Sequence, residues 1–173
     1  LLGTGGVSIM GLQMAKAAGL RVIITSSSDD KLERARALGA DETINYRTVP
    51  EWHEEVQRRT DGKGGDLVLE VGGEGTILRS LASTTVDGTI AVIGGVSGFD
   101  GELNPFSLVT GAKRMVGIFV GSRAMLEQTA GFFAGAGIKP VVDRVFPFAE
   151  AKEAYRHLQS GAHFGKVVIG LTE

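Results

Sequence analysis

The residues with the clearest chemical potential are the glycines of the run G-T-G-G-V-S over residues 3–8, which a segment of helical apolar period follows. Gly3 allows a tight turn, Gly5 lets a ligand approach the backbone, and the N–H groups at the start of the next helix attract an anion. The spacing is that of a dinucleotide fingerprint with Ser8 at its third small position, although a glycine turn without a ligand is an open alternative. We expect these residues to bind a diphosphate: Gly3, Thr4, Gly5, Gly6 and Val7.

A second group of polar residues stands where the next strand should end. About 20 residues after the glycine turn, dinucleotide sites usually place an acidic residue that accepts from the adenosine ribose. This chain has Ser26 there, followed by Ser27 and then by Lys31 in the next helix. A carboxylate would repel a 2'-phosphate, whereas hydroxyls and an ammonium donate to it. The pattern favours NADP(H) over NAD; the alternative is a simple helix cap at Ser27 or Ser28 beside a solvated lysine.

The composition excludes several classes of protein. The chain has 173 residues, 43% of them hydrophobic and 22% charged, which is enough apolar material for one globular domain. Its 26 glycines accompany only 4 prolines and no Gly-X-Y period, which excludes collagen and low-complexity disorder. A net charge of -2 without a basic stripe argues against a nucleic-acid partner, and no apolar run approaches the roughly 20 residues that cross a bilayer. We expect a cytoplasmic protein with no membrane partner, and the lack of cysteine excludes disulfides and thiolate zinc ligands.

Short apolar runs alternate about six times with segments of helical period, which is typical of βαβ units around a parallel sheet. We therefore predict one α/β domain over residues 1–173, with a Rossmann-type doubly wound parallel sheet in three α/β/α layers. The predicted strands are 21–25, 42–45, 66–71, 89–93, 115–120, 141–146 and 166–170. The predicted helices are 7–18, 27–39, 48–60, 76–83, 125–136 and 150–160.

Some local signals are more specific. We predict a capping box over Thr48-Val-Pro-Glu51 and a turn at Asp87-Gly88. Leu1 and Leu2 should end a first strand, and because a central strand usually has about five or six residues, we expect the chain to be excised from a longer protein. The stripe of the first helix that faces the core is predicted to comprise Val7, Met10, Gly11, Met14, Ala15 and Ala18.

Together, five runs resemble the coenzyme-binding domain of the medium-chain dehydrogenase/reductase superfamily, which includes the zinc-type alcohol dehydrogenases and quinone oxidoreductases. The runs are G-T-G-G-V (3–7), L-G-A-D-E-T-I-N-Y-R (38–47), E-V-G-G (70–73), D-G-T-I-A-V-I-G (87–94) and H-F-G-K-V-V-I (163–169). The resemblance covers essentially the whole chain. It implies that Lys31 and Tyr46 match the lysine and tyrosine that flank the adenosine phosphate in NADP-dependent members.

The resemblance also implies contacts with the other end of the cofactor. The segments that would pass under the ribose and nicotinamide contain Val71, Gly72, Ile93, Gly94 and Gly95, and Val120 would line the nicotinamide amide. Ordinary turn chemistry is the alternative role for these glycines. In the family the last loop returns over the site, so His163 and Lys166 can reach the cofactor phosphate or the ribose; a surface lysine is the alternative for Lys166.

The resemblance further implies that most of the catalytic apparatus lies in a separate, preceding domain. The three histidines, His53, His157 and His163, have no cysteine partners and no spacing that closes a zinc site. We therefore assign this chain no catalytic residue and no metal ligand, while zinc remains possible in the full-length enzyme. The chain is expected to bind NADP(H) without turnover, whereas the intact enzyme would transfer hydride to or from a small-molecule alcohol/carbonyl pair or an activated alkene.

Several alternatives stay open at this point. The domain can prefer NAD, or it can be a non-catalytic module that binds a dinucleotide and senses redox state. A methyltransferase that binds S-adenosylmethionine is disfavoured because it needs an acid where Ser26 stands. We also expect a homodimer, because the apolar strand 115–120 can pair with its copy across a two-fold axis.

Overall fold

The computed structural model describes residues 1–98, 100 and 102–171, in which helices alternate with strands. The helices are α1 (Gly6–Ala17), α2 (Asp29–Ala37), α3 (Trp52–Arg59), α4 (Ile77–Ala82), α5 (Phe106–Val109), α6 (Arg123–Gly135) and α7 (Ala151–Gln159), with a 3-10 turn at Phe148–Glu150. The strands are β1 (Ile23–Ser26), β2 (Glu42–Asn45), β3 (Gly65–Glu70), β4 (Thr84–Val92), β5 (Arg114–Gly117), β6 (Val142–Pro147) and β7 (Lys166–Gly170). None of the described helices is long and apolar enough to cross a membrane.

The strands pair in three groups, and the chain forms two compact units. β1 pairs with β2, β4 lies between β3 and β5 in a parallel sheet, and β6 pairs in parallel with β7. The mid-chain unit comprises Leu1–Leu2 and Ile44–Gly121, and the end-segment unit comprises Gly3–Thr43 and Ser122–Glu173. Parallel strands joined through helices confirm the predicted α/β class.

The mid-chain unit is built on the sheet of β3, β4 and β5. Val68 of β3, Ile90 of β4 and Leu81 of α4 form a buried cluster, because the apolar side of the helix packs on the apolar side chains of both strands. Partly buried side chains surround this cluster: Ile77, Val92, Leu103 and Leu108. The turn predicted at Asp87-Gly88 is a bend within β4, where Asp87 has a φ of 60° and the strand continues on both sides.

The core of the end-segment unit is formed by residues from the first and the last part of the chain. Ile9 and Leu12 of α1 and Ile24 of β1 are fully buried. Other buried apolar residues of this unit are Val22, Leu32, Ala35, Ala40, Phe133, Phe146, Ala154 and Phe164. A single parallel bridge between Gly5 and Gly165 holds the segment before β7 against the start of α1. Residues that are 160 positions apart in the chain therefore meet beside the glycine turn.

The predicted core face of α1 is wrong. The buried residues are Ser8, Ile9 and Leu12, whereas Val7 and Met14 are 43% and 36% exposed. Apolar residues lie on most sides of this helix, and Ile9 and Leu12 are as apolar as the residues of the predicted stripe. The helical period alone therefore could not identify which face the fold would bury.

The predicted capping box before α3 is also wrong. The helix begins at Trp52 with Glu51 at the N-cap, and no side chain caps its first turn. The Thr48 hydroxyl instead donates to the Asn45 carbonyl at 3.1 Å, in the turn that follows β2. Because Thr48 stands three residues before the N-cap Glu51, in the turn after β2, its hydroxyl does not occupy the capping position of the helix.

Other elements also differ from the prediction; for example, β4 begins at Thr84, five residues earlier than predicted. β5 ends at Gly117, so residues 118–120 lie outside the strand, although the Ile118 N–H still donates to the Val92 carbonyl at 2.8 Å. Leu1 and Leu2 lie outside any strand. The four-residue helix α5 has no counterpart in the prediction, because one helical turn is too short to produce a periodic pattern.

Candidate cofactor site

The glycine turn of the end-segment unit leaves an uncapped helix start. Gly3 has a φ of 71°, a left-handed conformation that a side chain would strain, and its N–H donates to Thr25 Oγ1 at 3.3 Å. α1 begins at Gly6 with Gly5 as its N-cap, no side chain caps it, and its first turn holds no acidic residue. The backbone donors and the positive end of the helix dipole at this position suit an anion.

Ser26 lies under this turn. Its hydroxyl is 3.3 Å from Thr4 Oγ1 and accepts from the Ser28 N–H at 3.4 Å, and the residue is only 3% exposed. The end of β1 is thereby tied to the glycine turn through two side-chain hydroxyls. Ser27, its neighbour, is half-buried, so it is the more accessible of the two residues.

Lys31 stands in the first turn of α2. Ser28 caps this helix, because its side chain accepts from the Lys31 N–H at 3.4 Å. The Lys31 ammonium donates to the Gly161 carbonyl at 2.5 Å. Since an ammonium has three protons, this bond leaves two donors for a ligand. Burial lowers the pKa of Lys31, an effect that Asp143 opposes and Arg34 adds to.

The last loop of the end-segment unit lies against the glycine turn. The Gly165 N–H donates to the Thr4 carbonyl at 3.0 Å. A Cβ placed on Gly6 would lie 2.8 Å from Lys166 Nζ, so the lysine side chain covers the first residue of α1. A Cβ placed on Gly5 would lie 3.7 Å from His163 Nε2. The structure thus brings His163 and Lys166 to the predicted diphosphate loop.

A charged network holds this last loop to α2. Asp143 accepts from His157 Nε2 at 2.8 Å and lies 3.5 Å from Arg34, whose guanidinium stacks on the Phe164 ring at 4.1 Å. Burial raises the pKa of Asp143, but His157, the Phe164 N–H and Arg34 together outweigh it, and the pKa lies below its usual value. Burial lowers the pKa of His163, with Lys31 and His157 acting in the same direction and Asp143 in the opposite one.

In the mid-chain unit, sequence reasoning missed Glu70, a residue that orders one of the loops carrying predicted contact residues. This carboxylate is fully buried at the end of β3. Its Oε1 accepts from the N–H groups of Gly72 and Gly73 at 2.7 and 2.9 Å and from Thr76 Oγ1 at 2.6 Å. Its Oε2 accepts from the Ser80 hydroxyl. The glutamate of the run E-V-G-G is visible in the sequence. Nothing in that run indicates that its carboxylate is buried, because the motif contains no cationic residue to pair with it.

The two loops of the mid-chain unit that carry predicted contact residues also bind each other. Ser97 Oγ donates to the Gly72 carbonyl at 2.8 Å and accepts from the Gly75 N–H at 2.9 Å. The Val96 N–H donates to the Val71 carbonyl at 3.2 Å, and the Ile93 N–H donates to the Glu70 carbonyl at 2.8 Å. Val71 and Gly72 are therefore held by side chains and by the neighbouring loop, which also contains Ile93, Gly94 and Gly95.

Tyr46 and Val120 are the remaining predicted contact residues of the mid-chain unit. Tyr46 follows β2 and is 40% exposed. Val120 follows β5, is 79% exposed and has a φ of 49°. This conformation is rare for a β-branched residue and is found preferentially at functional sites.

The end-segment unit fits the phosphates of a dinucleotide. The uncapped start of α1 supplies backbone donors, Lys166 and Lys31 supply ammonium groups nearby, and the imidazole of His163 faces Gly5. No carboxylate lies in the first turn of α1, so nothing there repels a phosphate. Across residues 1–98, 100 and 102–171, no three His, Asp or Glu side chains come together as a metal site.

Comparison with known proteins identifies the family of this chain. A family model described as zinc-binding dehydrogenase matches residues 6–135. A zinc-type alcohol dehydrogenase-like protein of Schizosaccharomyces pombe is 46% identical over 98% of this chain and 50% of its own length. The solved structure of an NAD-dependent alcohol dehydrogenase is 38% identical, with a TM-score of 0.88 over 99% of this chain and 51% of that one.

A quinone oxidoreductase of Thermus thermophilus, solved also in complex with NADPH, is 33% identical, with a TM-score of 0.80 over 98% of this chain and 57% of that one. The chain thus spans about half the length of the relatives that it matches. These likenesses confirm the Rossmann-type fold and the resemblance to the coenzyme-binding domain of the medium-chain superfamily. The turn geometry and the motifs are consistent with these matches, and the matches show that the chain belongs to the zinc-binding dehydrogenase family.

Proposed function

We propose that this chain is the NADP(H)-binding domain of a longer oxidoreductase, with one cofactor domain over residues 1–173. The observation that carries the proposal is the acid-free, uncapped start of α1, covered by the ammonium of Lys166. An anion at that position would be held by backbone donors, a helix dipole and a cation together. Membership of the zinc-binding dehydrogenase family supports the same assignment.

We assign the contacts in three groups. Residues 3–7 and Lys166 hold the diphosphate. The 2'-phosphate is held by Ser27 and Lys31, with Ser26 supporting the turn and Tyr46 beside the adenosine. The ribose and nicotinamide lie on backbone and side chains of Val71, Gly72, Ile93, Gly94, Gly95 and Val120.

The chain's own part in the reaction is to bind and orient. When bound, NADP(H) donates or accepts a hydride at its nicotinamide ring. The residues of this chain fix the phosphates, and the glycine loops let the ring approach the backbone closely. We assign no catalytic residue and no metal ligand here; the small-molecule alcohol/carbonyl pair or activated alkene, and zinc if the enzyme uses it, belong to the rest of the longer protein.

NADP(H) is preferred over NAD(H) in this proposal, because a serine stands where an acid would repel the 2'-phosphate and Lys31 keeps two ammonium donors available. The NADPH complex of the Thermus thermophilus relative supports this choice. The NAD-dependent relative favours the alternative, a domain that prefers NAD.

Calorimetric titration with NADPH and NADH tests both the binding of a dinucleotide and the preference for NADP(H). We expect NADPH to bind about tenfold tighter or more, because a phosphate gains charge-assisted hydrogen bonds from Lys31. Lys31→Met should reduce that ratio, while Lys63→Met, which removes an exposed lysine of the mid-chain unit, should not. Equal affinities would reject the NADP preference, and no binding of either nucleotide would reject the function.

We also propose a homodimer formed along β5. β5 pairs with β4 on one side, and the segment beyond it exposes apolar side chains, with Phe119 94% and Ile118 44% exposed. An exposed strand edge beside apolar surface favours pairing with a copy of itself. Sedimentation at several concentrations should show a dimer that Val116→Lys weakens; a monomer throughout would reject this part of the proposal.

A further inference from the structure

We propose that His163 is a cofactor-binding residue that donates a hydrogen bond from Nε2, in its neutral form, to the phosphate held at the start of α1. The inference rests on the proposed function, because it requires a phosphate beside Gly5. It adds to that function a specific donor atom and a specific protonation state.

The position of the imidazole is fixed by contacts on both sides of His163. The Gly165 N–H donates to the Thr4 carbonyl at 3.0 Å, and Gly165 forms a parallel bridge with Gly5. On the other side, the Gly161 carbonyl accepts from Lys31 at 2.5 Å. With the loop held in this way, Nε2 lies 3.7 Å from where a Cβ of Gly5 would stand. The imidazole therefore lies against the glycine turn, where a phosphate held at the start of α1 would be its neighbour.

The two ring nitrogens have different surroundings. Nδ1 is buried and has no hydrogen-bond partner among the described residues, whereas Nε2 lies on the side of the glycine turn. A proton on Nδ1 would be a buried donor without an acceptor, which proteins rarely tolerate; an unpaired acceptor is tolerated more often. The favoured form therefore carries its only proton on Nε2, where a phosphate oxygen can accept it.

The charges around His163 disfavour a second proton. α2 contributes Lys31 and Arg34, β7 contributes Lys166 and α7 contributes His157, while β6 contributes the single carboxylate Asp143, which already binds His157 and Arg34. Burial and the Lys31 ammonium lower the pKa of His163 below its usual value. A neutral N–H donor therefore complements Lys166: it adds a directed hydrogen bond without adding another charge to a crowded cationic loop.

Long-range ¹H–¹⁵N NMR spectra of the free protein test the protonation state without any cofactor. The His163 signals are assigned by their loss in His163→Gln. At about pH 7 the spectrum should show the neutral Nε2–H tautomer. An imidazolium pattern or the Nδ1–H tautomer would overturn the proposal.

Two amide variants test the donor atom. The amide of Gln can occupy the position of His Nε2, whereas the shorter amide of Asn reaches only the position of Nδ1. We expect His163→Gln to bind NADPH within about threefold of wild type, and His163→Asn and His163→Ala to bind about tenfold more weakly. His53→Gln, in the mid-chain unit, serves as the matched control and should leave the affinity unchanged. Equal affinity of all three His163 variants and wild type would reject the donor, while failure of wild type to bind would reject the proposed function itself.

The pH dependence of binding separates a neutral donor from a proton-linked one. Between about pH 6.5 and 8, the affinity of wild type and of His163→Gln should change in parallel, because only the 2'-phosphate and groups common to both proteins titrate. An affinity that tightens toward low pH in wild type alone would show that His163 binds as an imidazolium, and this would overturn the neutral donor.

Discussion

The glycine turn of the end-segment unit and the paired loops of the mid-chain unit use their polar groups in opposite ways. Around the turn, the start of α1 has no side-chain cap, and Lys166 lies over Gly6 with its ammonium. In the paired loops, Glu70 and Ser97 bind the surrounding backbone N–H and carbonyl groups. One region keeps donors available, and the other satisfies its donors internally.

This difference matches what each end of a dinucleotide would need. A phosphate requires charge-assisted donors that nothing in the protein already occupies. A flat ring requires a backbone of fixed shape that it can approach closely, with the polar groups of that backbone already hydrogen-bonded within the protein. If the proposed function holds, we expect charge to govern binding at the turn and a backbone of fixed shape to govern it at the paired loops.

The largest expected effect comes from removing the acceptor that orders the paired loops. Glu70→Leu should lower the free energy of unfolding by about 3–5 kcal/mol, because two backbone N–H groups and two hydroxyls lose a buried acceptor. Urea unfolding followed by the fluorescence of Trp52, the only tryptophan and buried in the same unit, measures this loss.

Glu70→Gln is the matched variant for this position. Its amide oxygen can still accept from the Gly72 and Gly73 N–H groups, so we expect a loss of only about 1–2 kcal/mol. Equal losses for the Gln and Leu variants would contradict the role of Glu70 as a loop acceptor. Unchanged stability in both would remove the contrast between the two regions.

A smaller effect, on binding rather than folding, is expected from Lys166. Lys166→Met should weaken NADPH binding about tenfold and reduce its dependence on salt, because one charge beside the phosphates is lost. Calorimetric titration at low and at physiological ionic strength measures both quantities. Lys166→Arg keeps the charge and should keep most of the affinity; an equal loss in both variants would show that the lysine acts by packing over Gly6 and not by charge.

The smallest effects separate a real helix cap from a mistaken one. Ser28→Ala should lower the free energy of unfolding by about 1 kcal/mol, because Ser28 caps α2 through the Lys31 N–H. Thr48→Ala should lower it by less than about 0.5 kcal/mol, since Thr48 only donates to the exposed Asn45 turn. Chemical unfolding of both variants checks the order, and a larger loss for Thr48 would restore the capping box.

Sequence patterns located most elements of the fold well. The strands predicted over 42–45 and 166–170 are confirmed residue for residue as β2 and β7, and Ser28 was among the serines proposed to cap α2. These predictions succeed because strand and cap signals are local. The capping box at Thr48 was wrong because the helix begins at Trp52, later than the local pattern indicated. The predicted face of α1 was wrong because apolar residues lie on several of its sides.

The candidate site was predictable only in part. The glycine spacing indicated the turn, the pattern after the second strand and the family resemblance both indicated Lys31, and the resemblance indicated Lys166. The contacts of these two lysines with particular backbone groups were a finding of the structure. The burial of Ser26 and the four hydrogen bonds of Glu70 had no sequence signal, because each depends on partners that only the fold brings into contact.

The sequence by itself determined the α/β alternation, the left-handed glycine at the turn and the absence of thiolate chemistry, since these follow from residue types and their local order. Only the tertiary structure decided that His163 and Lys166 meet a turn that begins 160 residues earlier, and that Glu70 is enclosed by its own loop. The reason is physical: local propensities act over a few residues, whereas a binding site consists of contacts between distant segments, and these form only when burial of the core holds the segments together.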